Sequence, residues 1–105
     1  GVRYVVMEVE AEMKALMSML GELTRDPSSP TLAVLGTREG GGRIIVASTE
    51  GSLAEERHNA VDILNSISVH ISGGGGGSRT MAQGGGSNPD GIPQALDSAR
   101  EILGL

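Results

Sequence analysis

The stretch that most constrains the chain is Gly73-Gly74-Gly75-Gly76-Gly77-Ser78-Arg79-Thr80-Met81-Ala82-Gln83-Gly84-Gly85-Gly86, in which eight of fourteen residues are glycine. Patterned apolar sequence lies on both sides of it. Glycine has no Cβ, so its backbone lets another surface come close and accepts φ > 0. Two readings follow. One is a flexible Gly/Ser loop. The other is a backbone surface shaped for packing or contact, with Met81, Ala82 and Gln83 as a short buried strand between the two runs. On the second reading, Gly76→Val is expected to damage folding or binding, at a cost on the order of 1–3 kcal/mol where strain cannot relax.

The remainder of the chain must supply the core. It has 105 residues, enough for one domain. Tyr4 is the one aromatic residue, so Val, Ile, Leu, Ala and Met build the interior. Base stacking on an aromatic platform is nearly excluded. Eight basic against thirteen acidic residues give a net charge of -5. That is the wrong sign for holding nucleic acid by the overall field, and it leaves only a local arginine patch. With no cysteine there is neither a disulfide framework nor thiolate chemistry. The segment Val5–Met7 is too short for a signal-peptide core, and no apolar run is long enough to span a membrane. A start at Gly1 reads as a piece of something longer.

In order along the chain, Val2 to Val9 alternates like a strand. From Glu10 to Arg25 the period changes. Met13, Leu16, Met17, Leu20 and Leu23 or Thr24 form a helix stripe, read as core. Asp26-Pro27-Ser28-Ser29-Pro30 breaks it. Thr31 to Thr37 and Arg43 to Thr49 are apolar strands joined by the turn Arg38–Gly42, a hairpin covered on both faces. Ser52 to His58 begins a helix or leads into one. Ala60 to Ile71 is a helix ending where the glycines start. Thr80 to Gln83 is a short fourth strand. Asn88–Gly91 is a turn, and Ile92 to Leu103 is a final helix with Asp90 as cap and Pro93 in its first turn. Its stripe is Leu96, Ala99, Ile102 and Leu103. The order implies one α/β domain, residues 1–105, with a mixed sheet of about four strands and three helices.

Catalytic chemistry is hard to place. A Walker loop needs Lys then Ser or Thr after the glycines, whereas the chain has Gly77-Ser78-Arg79. A dinucleotide fold needs a strand leading into the glycines and a helix leaving them, which is the reverse of the order here. Ser78 has no base beside it in sequence. Glu55, Glu56 and His58 match no strong metal spacing and read as a solvated helix start.

The residues from Ser72 to Gly86 match, without a gap, the pattern G-G-K-G-G-G-R-P-D-M-A-Q-[AG]-G-G. On that run, on the upstream hairpin and on the helices before and after it, the chain resembles the C-terminal globular domain of alanyl-tRNA synthetases, within the DHH-associated domain family. Two basic positions differ: the family's Lys falls on Gly74 and its Arg on Ser78, with Arg79 one place later. Phosphodiesterases of the same superfamily carry G-G-G-H before A-A-G, and their His also falls on Ser78.

The resemblance implies a non-catalytic domain of a cytoplasmic synthetase that charges tRNA with alanine and edits mischarged product. ATP, magnesium and zinc would belong to the parent's other domains, and none to this one. The implied partners are tRNA, the remaining domains of the parent, and a second copy in a homodimer. The expected contact residues are Gly75, Gly76, Gly77, Ser78, Arg79 and Gln83, with Arg38 and Arg43 from the hairpin. Arg79 and Gln83 lead this set, and Arg79→Ala is expected to lower the salt dependence of tRNA binding. Two other classes compete: a pure oligomerisation module, and the substrate-binding half of a DHH-type phosphoesterase.

Overall fold

A computed structural model describes all 105 residues. Strand β1 (Arg3–Glu8) pairs in parallel with β2 (Thr31–Thr37). Parallel neighbours need a crossover, and α1 (Met13–Leu23) provides it. Strand β3 (Gly42–Ser48) returns antiparallel to β2 through the Arg38–Gly41 turn. There Gly40 and Gly41 take positive φ, +75° and +107°. After β3 come α2 (Leu53–Arg57) and α3 (Ala60–Ile67), then a 3₁₀ turn, Ser68–Ile71. Strands β4 (Gly73–Gly77) and β5 (Met81–Gly86) form a second hairpin, and α4 (Ile92–Leu103) closes the chain. The sheet order is β1-β2-β3-β5-β4, mixed and five-stranded.

This is the α/β class the sequence implies, with one strand and one helix more than expected. The extra helix is α2. Ser52 caps it, accepting from the Ala54 N–H at 3.2 Å. The extra strand is the first glycine run itself. The expected helix Ala60–Ile71 stops earlier, at Ile67, where the 3₁₀ turn takes over. Asp90 does not cap α4. Gly91 holds that position without a side-chain bond, while Pro93 does sit in the first turn.

The sheet has two unequal sides. Alternation along β2 and β3 sends Leu32, Val34, Ile44 and Val46 to one face, where α3 and α4 cover them. It sends Ala33, Leu35, Ile45 and Ala47 to the other, against Leu16 and Leu20 of α1. Apart from Arg43, which is exposed, both strands are thus buried on both faces, as their apolar runs require. From the expected α1 stripe, Leu16 and Leu20 are buried, but Met17 points to solvent. In α4, Leu96 and Ala99 are buried and Ile102 is exposed; Ile92 and Ala95 complete the buried stripe.

Tyr4 stands against the α2–α3 connection. Its hydroxyl is hydrogen-bonded to His58 Nε2 at 2.8 Å, with the rings edge to face. Partial burial, then the Arg57 charge, hold the His58 pKa below its usual value.

Candidate nucleic-acid interface

Helix α1 packs on β2 and β3. On its side of the sheet, β5 and β4 are bare. The register sets what lies there. Arg43 faces Gly85, Ile45 faces Gln83 and Ala47 faces Met81 across β3 and β5. Gly74 and Gly76 of β4 face Gly85 and Gln83 in turn. The result is a shelf made of Arg43, Met81, Gln83 and side-chain-free backbone. Of the expected short buried strand, only Ala82 is buried, because it points to the α3 side; Met81 and Gln83 are exposed.

Strand β4 exists because its residues are glycine. A Cβ on Gly73 would strike Gly85, one on Gly75 would strike Gln83 and Gly84, and one on Gly77 would strike Met81 and Ala82. A Cβ on Gly74 or Gly76 would meet nothing within 4 Å. Every second glycine is thus obligatory and the two between them are not. The expectation that Gly76→Val damages folding is corrected accordingly, and its effect on binding stays an expectation. Position 76 opens onto the shelf, and the intolerant neighbours are Gly75 and Gly77.

Hydrogen bonding gives β4 a second property. The Ser78 N–H donates to the Met81 carbonyl at 2.7 Å, next to the Gly77–Ala82 pair. Gly77–Ala82 is therefore a non-hydrogen-bonded pair, and alternation does the rest. Gly74 and Gly76 direct their N–H and C=O groups at β5. Gly73, Gly75 and Gly77 direct theirs outward, along an exposed edge without a charged residue or proline.

The expected arginines separate by what already holds them. Arg38 Nε donates to Glu8 Oε2 at 2.8 Å, and its Nη1 lies 3.7 Å from Asp90. It ties β1 to the second hairpin's exit. Arg79 leaves the β4–β5 turn and caps α2, donating to the Glu55 carbonyl at 2.9 Å and the Glu56 carbonyl at 3.1 Å. These are the open carbonyls of a helix end. Its own carbonyl accepts from the Ala60 N–H at 2.8 Å. Arg43 has neither an ion pair nor a side-chain hydrogen bond, and its Nη1 lies over Gly85, 3.6 Å from where a Cβ would be. Of the three, Arg43 carries the free guanidinium. Ser78 is exposed, its hydroxyl 3.5 Å from Thr80 and from the Met81 carbonyl, and nothing beside it acts as a base. Gln83 is exposed and makes no side-chain hydrogen bond.

No three His, Asp or Glu side chains gather to hold a metal ion. No helix is long and apolar enough to cross a membrane.

The geometry is that of a glycine hairpin laid on the edge of a mixed sheet. The chain matches the DHHA1 domain over residues 1–105. It belongs to that family.

Its relatives narrow the type. An alanine–tRNA ligase of Pediococcus pentosaceus is 31% identical over 103 residues, covering 98% of this chain and 12% of the ligase. The ligase of Chloroflexus aurantiacus is 32% identical with the same coverage. That of Methanothrix thermoacetophila reaches 44% over 66 residues, 63% of this chain. Among solved structures, the C-Ala domain of Aquifex aeolicus alanyl-tRNA synthetase superposes with a TM-score of 0.70 at 29% identity, covering 97% of this chain and 89% of that one. This DHHA1 domain is therefore of the C-Ala type found in alanyl-tRNA synthetases, and it spans 12% of the length of the first two ligases.

Proposed function

We propose that this DHHA1 domain is the non-catalytic C-terminal part of an alanine–tRNA ligase, and that it holds tRNA on the bare half of its sheet. The parent would be cytoplasmic, and its ATP, magnesium and zinc chemistry would reside in the other domains. The observation that carries the reading is the shelf. Arg43, Gln83 and the open glycines Gly74 and Gly76 share one uncovered face, and Arg43 is uncommitted there. The flat backbone lets a phosphate strand approach closely. Contacts of this kind position an RNA without reading its bases.

A salt titration of tRNA affinity tests it. One phosphate contact contributes roughly 0.7–0.9 to the slope. Arg43→Ala is expected to lower the slope by about that amount. Arg79→Ala is now expected to weaken binding with the slope unchanged, because Arg79 holds the hairpin to α2. Absence of tRNA binding at low salt would remove the proposal.

A second reading has its own support. The outward N–H and C=O groups of Gly73, Gly75 and Gly77 form an unguarded strand edge of the sort that pairs with another strand. A homodimer through β4 uses that edge and leaves the shelf free. Sedimentation that gives only monomer at high concentration removes it. The phosphoesterase alternative draws no support from relatives that are alanine–tRNA ligases.

A further inference from the structure

At the Met81 end of the shelf the surface sinks into a cavity of about 440 Å³. Thr24, Arg25 and Pro27 wall it from the α1–β2 connection, Glu50 from the end of β3, and Thr80 and Met81 from the entry to β5. The volume lies within the range of small-ligand sites. The cavity continues the shelf. Ala47–Met81 is the pair at its mouth and Arg43–Gly85 the pair at the far end. Four residues of strand separate them, about 14 Å. An RNA strand with a phosphate on Arg43 reaches the cavity a few nucleotides along.

The charges in the wall are opposite and barely used. Arg25 has one ion partner, Glu22 at 3.4 Å, with both side chains about three-quarters exposed (76% and 73%). Such a pair is worth little. Glu50 accepts one long bond on Oε1, from Thr80 Oγ1 at 3.4 Å, and none on Oε2. The cavity thus offers a carboxylate that needs two donors and a guanidinium that needs acceptors. Among the four bases, guanine alone has two adjacent donors, N1–H and N2–H₂, with two acceptors, O6 and N7, beside them. Arginine on O6 and N7 is the commonest specific pairing in the DNA major groove, and an unpaired RNA base exposes the same edge together with its Watson–Crick edge. The Pro27 ring and the polarizable Met81 thioether supply apolar contact in a cavity whose wall has no aromatic residue.

We propose that this cavity takes one unpaired guanine of the RNA, Glu50 accepting from N1–H and N2–H₂ and Arg25 donating to O6 and N7. The proposal rests on the shelf being the RNA-binding face. It adds base selection to contacts that otherwise only position the strand.

The test uses the full chain and short oligouridylates carrying one central guanosine, adenosine, inosine or 7-deazaguanosine, with affinity read by fluorescence anisotropy. Guanosine is expected to bind about tenfold tighter than adenosine. Inosine, lacking the N2 amine, and 7-deazaguanosine, lacking N7, each lose part of that preference. Glu50→Gln, at an exposed position, is expected to abolish the guanosine–inosine difference and to keep the 7-deazaguanosine effect. Equal affinity for guanosine and adenosine overturns the cavity and leaves the shelf standing. So does binding of tRNA with no binding of any oligonucleotide. No binding of oligonucleotides or tRNA overturns both.

Discussion

The two hairpins of this sheet are built in opposite ways. The β2–β3 hairpin is made of side chains. Residues 31–37 and 44–48 are all buried, and their alternation feeds two cores at once. The β4–β5 hairpin is made largely without side chains. All five residues of β4 are exposed, and three of them would collide with β5 if they carried a Cβ. The first hairpin is stabilised by what it buries. The second is permitted by what it lacks, and the lack leaves backbone open to a ligand. One half is scaffold and the other is surface.

The largest expected effect lies in the first hairpin. Leu35 is fully buried beneath α1. Leu35→Ala is expected to cost about 2–5 kcal/mol, the range for a large core deletion, in urea unfolding. A cost near zero would mean that the two hairpins do not differ as described.

The second hairpin is expected to show a two-residue pattern. Gly75→Ala forces a Cβ into Gln83 and Gly84 and costs on the order of 1–3 kcal/mol. Gly76→Ala meets open space, and it is expected to be neutral or stabilising by up to about 1 kcal/mol through the unfolded chain. Equal effects at both positions would make β4 a loop after all.

A smaller change is expected at the entry to the second hairpin. Ser72 enters β4 with φ 55°, the one non-glycine residue of the chain in the left-handed region. The family pattern has glycine there. Ser72→Gly is expected to stabilise by about 1 kcal/mol, read as a rise in Tm. A fall would show that the serine hydroxyl has a role at this turn.

Much of this was legible in the sequence. The β2–β3 pair, the α1 and α4 stripes and the break at residues 26–30 follow from apolar period, because burial is what period records. The glycine strand does not. Five glycines carry no pattern, and β-propensity argues against a strand. Only the fixed spacing around Met81-Ala82-Gln83 shows that the run is ordered. Which arginine is free was also hidden. Arg79 follows the glycines and looks available, yet the open carbonyls of α2 take it. Arg43 reads as one residue of an apolar strand, and its place on the shelf depends on its register with Gly85. Helix α2, only five residues long, had no period to read.

The smallest effect is one of pH. His58 has a folded pKa below its ordinary value, through burial first and the Arg57 charge second. The unfolded chain therefore takes up this proton first as pH falls. Stability from this group is full above about 6.5 and is lost as pH drops below it. Melting between pH 7.5 and 5.5 is expected to show a modest decline that His58→Gln flattens. An unchanged decline in the variant would assign it elsewhere.

The central claim is that RNA lies on the bare half of the sheet. The most direct measurement is the change in backbone amide NMR signals when tRNA is added to the isotope-labelled chain. The account predicts shifts at Arg43, Gly74, Gly76, Met81 and Gln83, with β2 and α4 unmoved. Shifts confined to the α3–α4 side, or none at saturating tRNA and low salt, would contradict it.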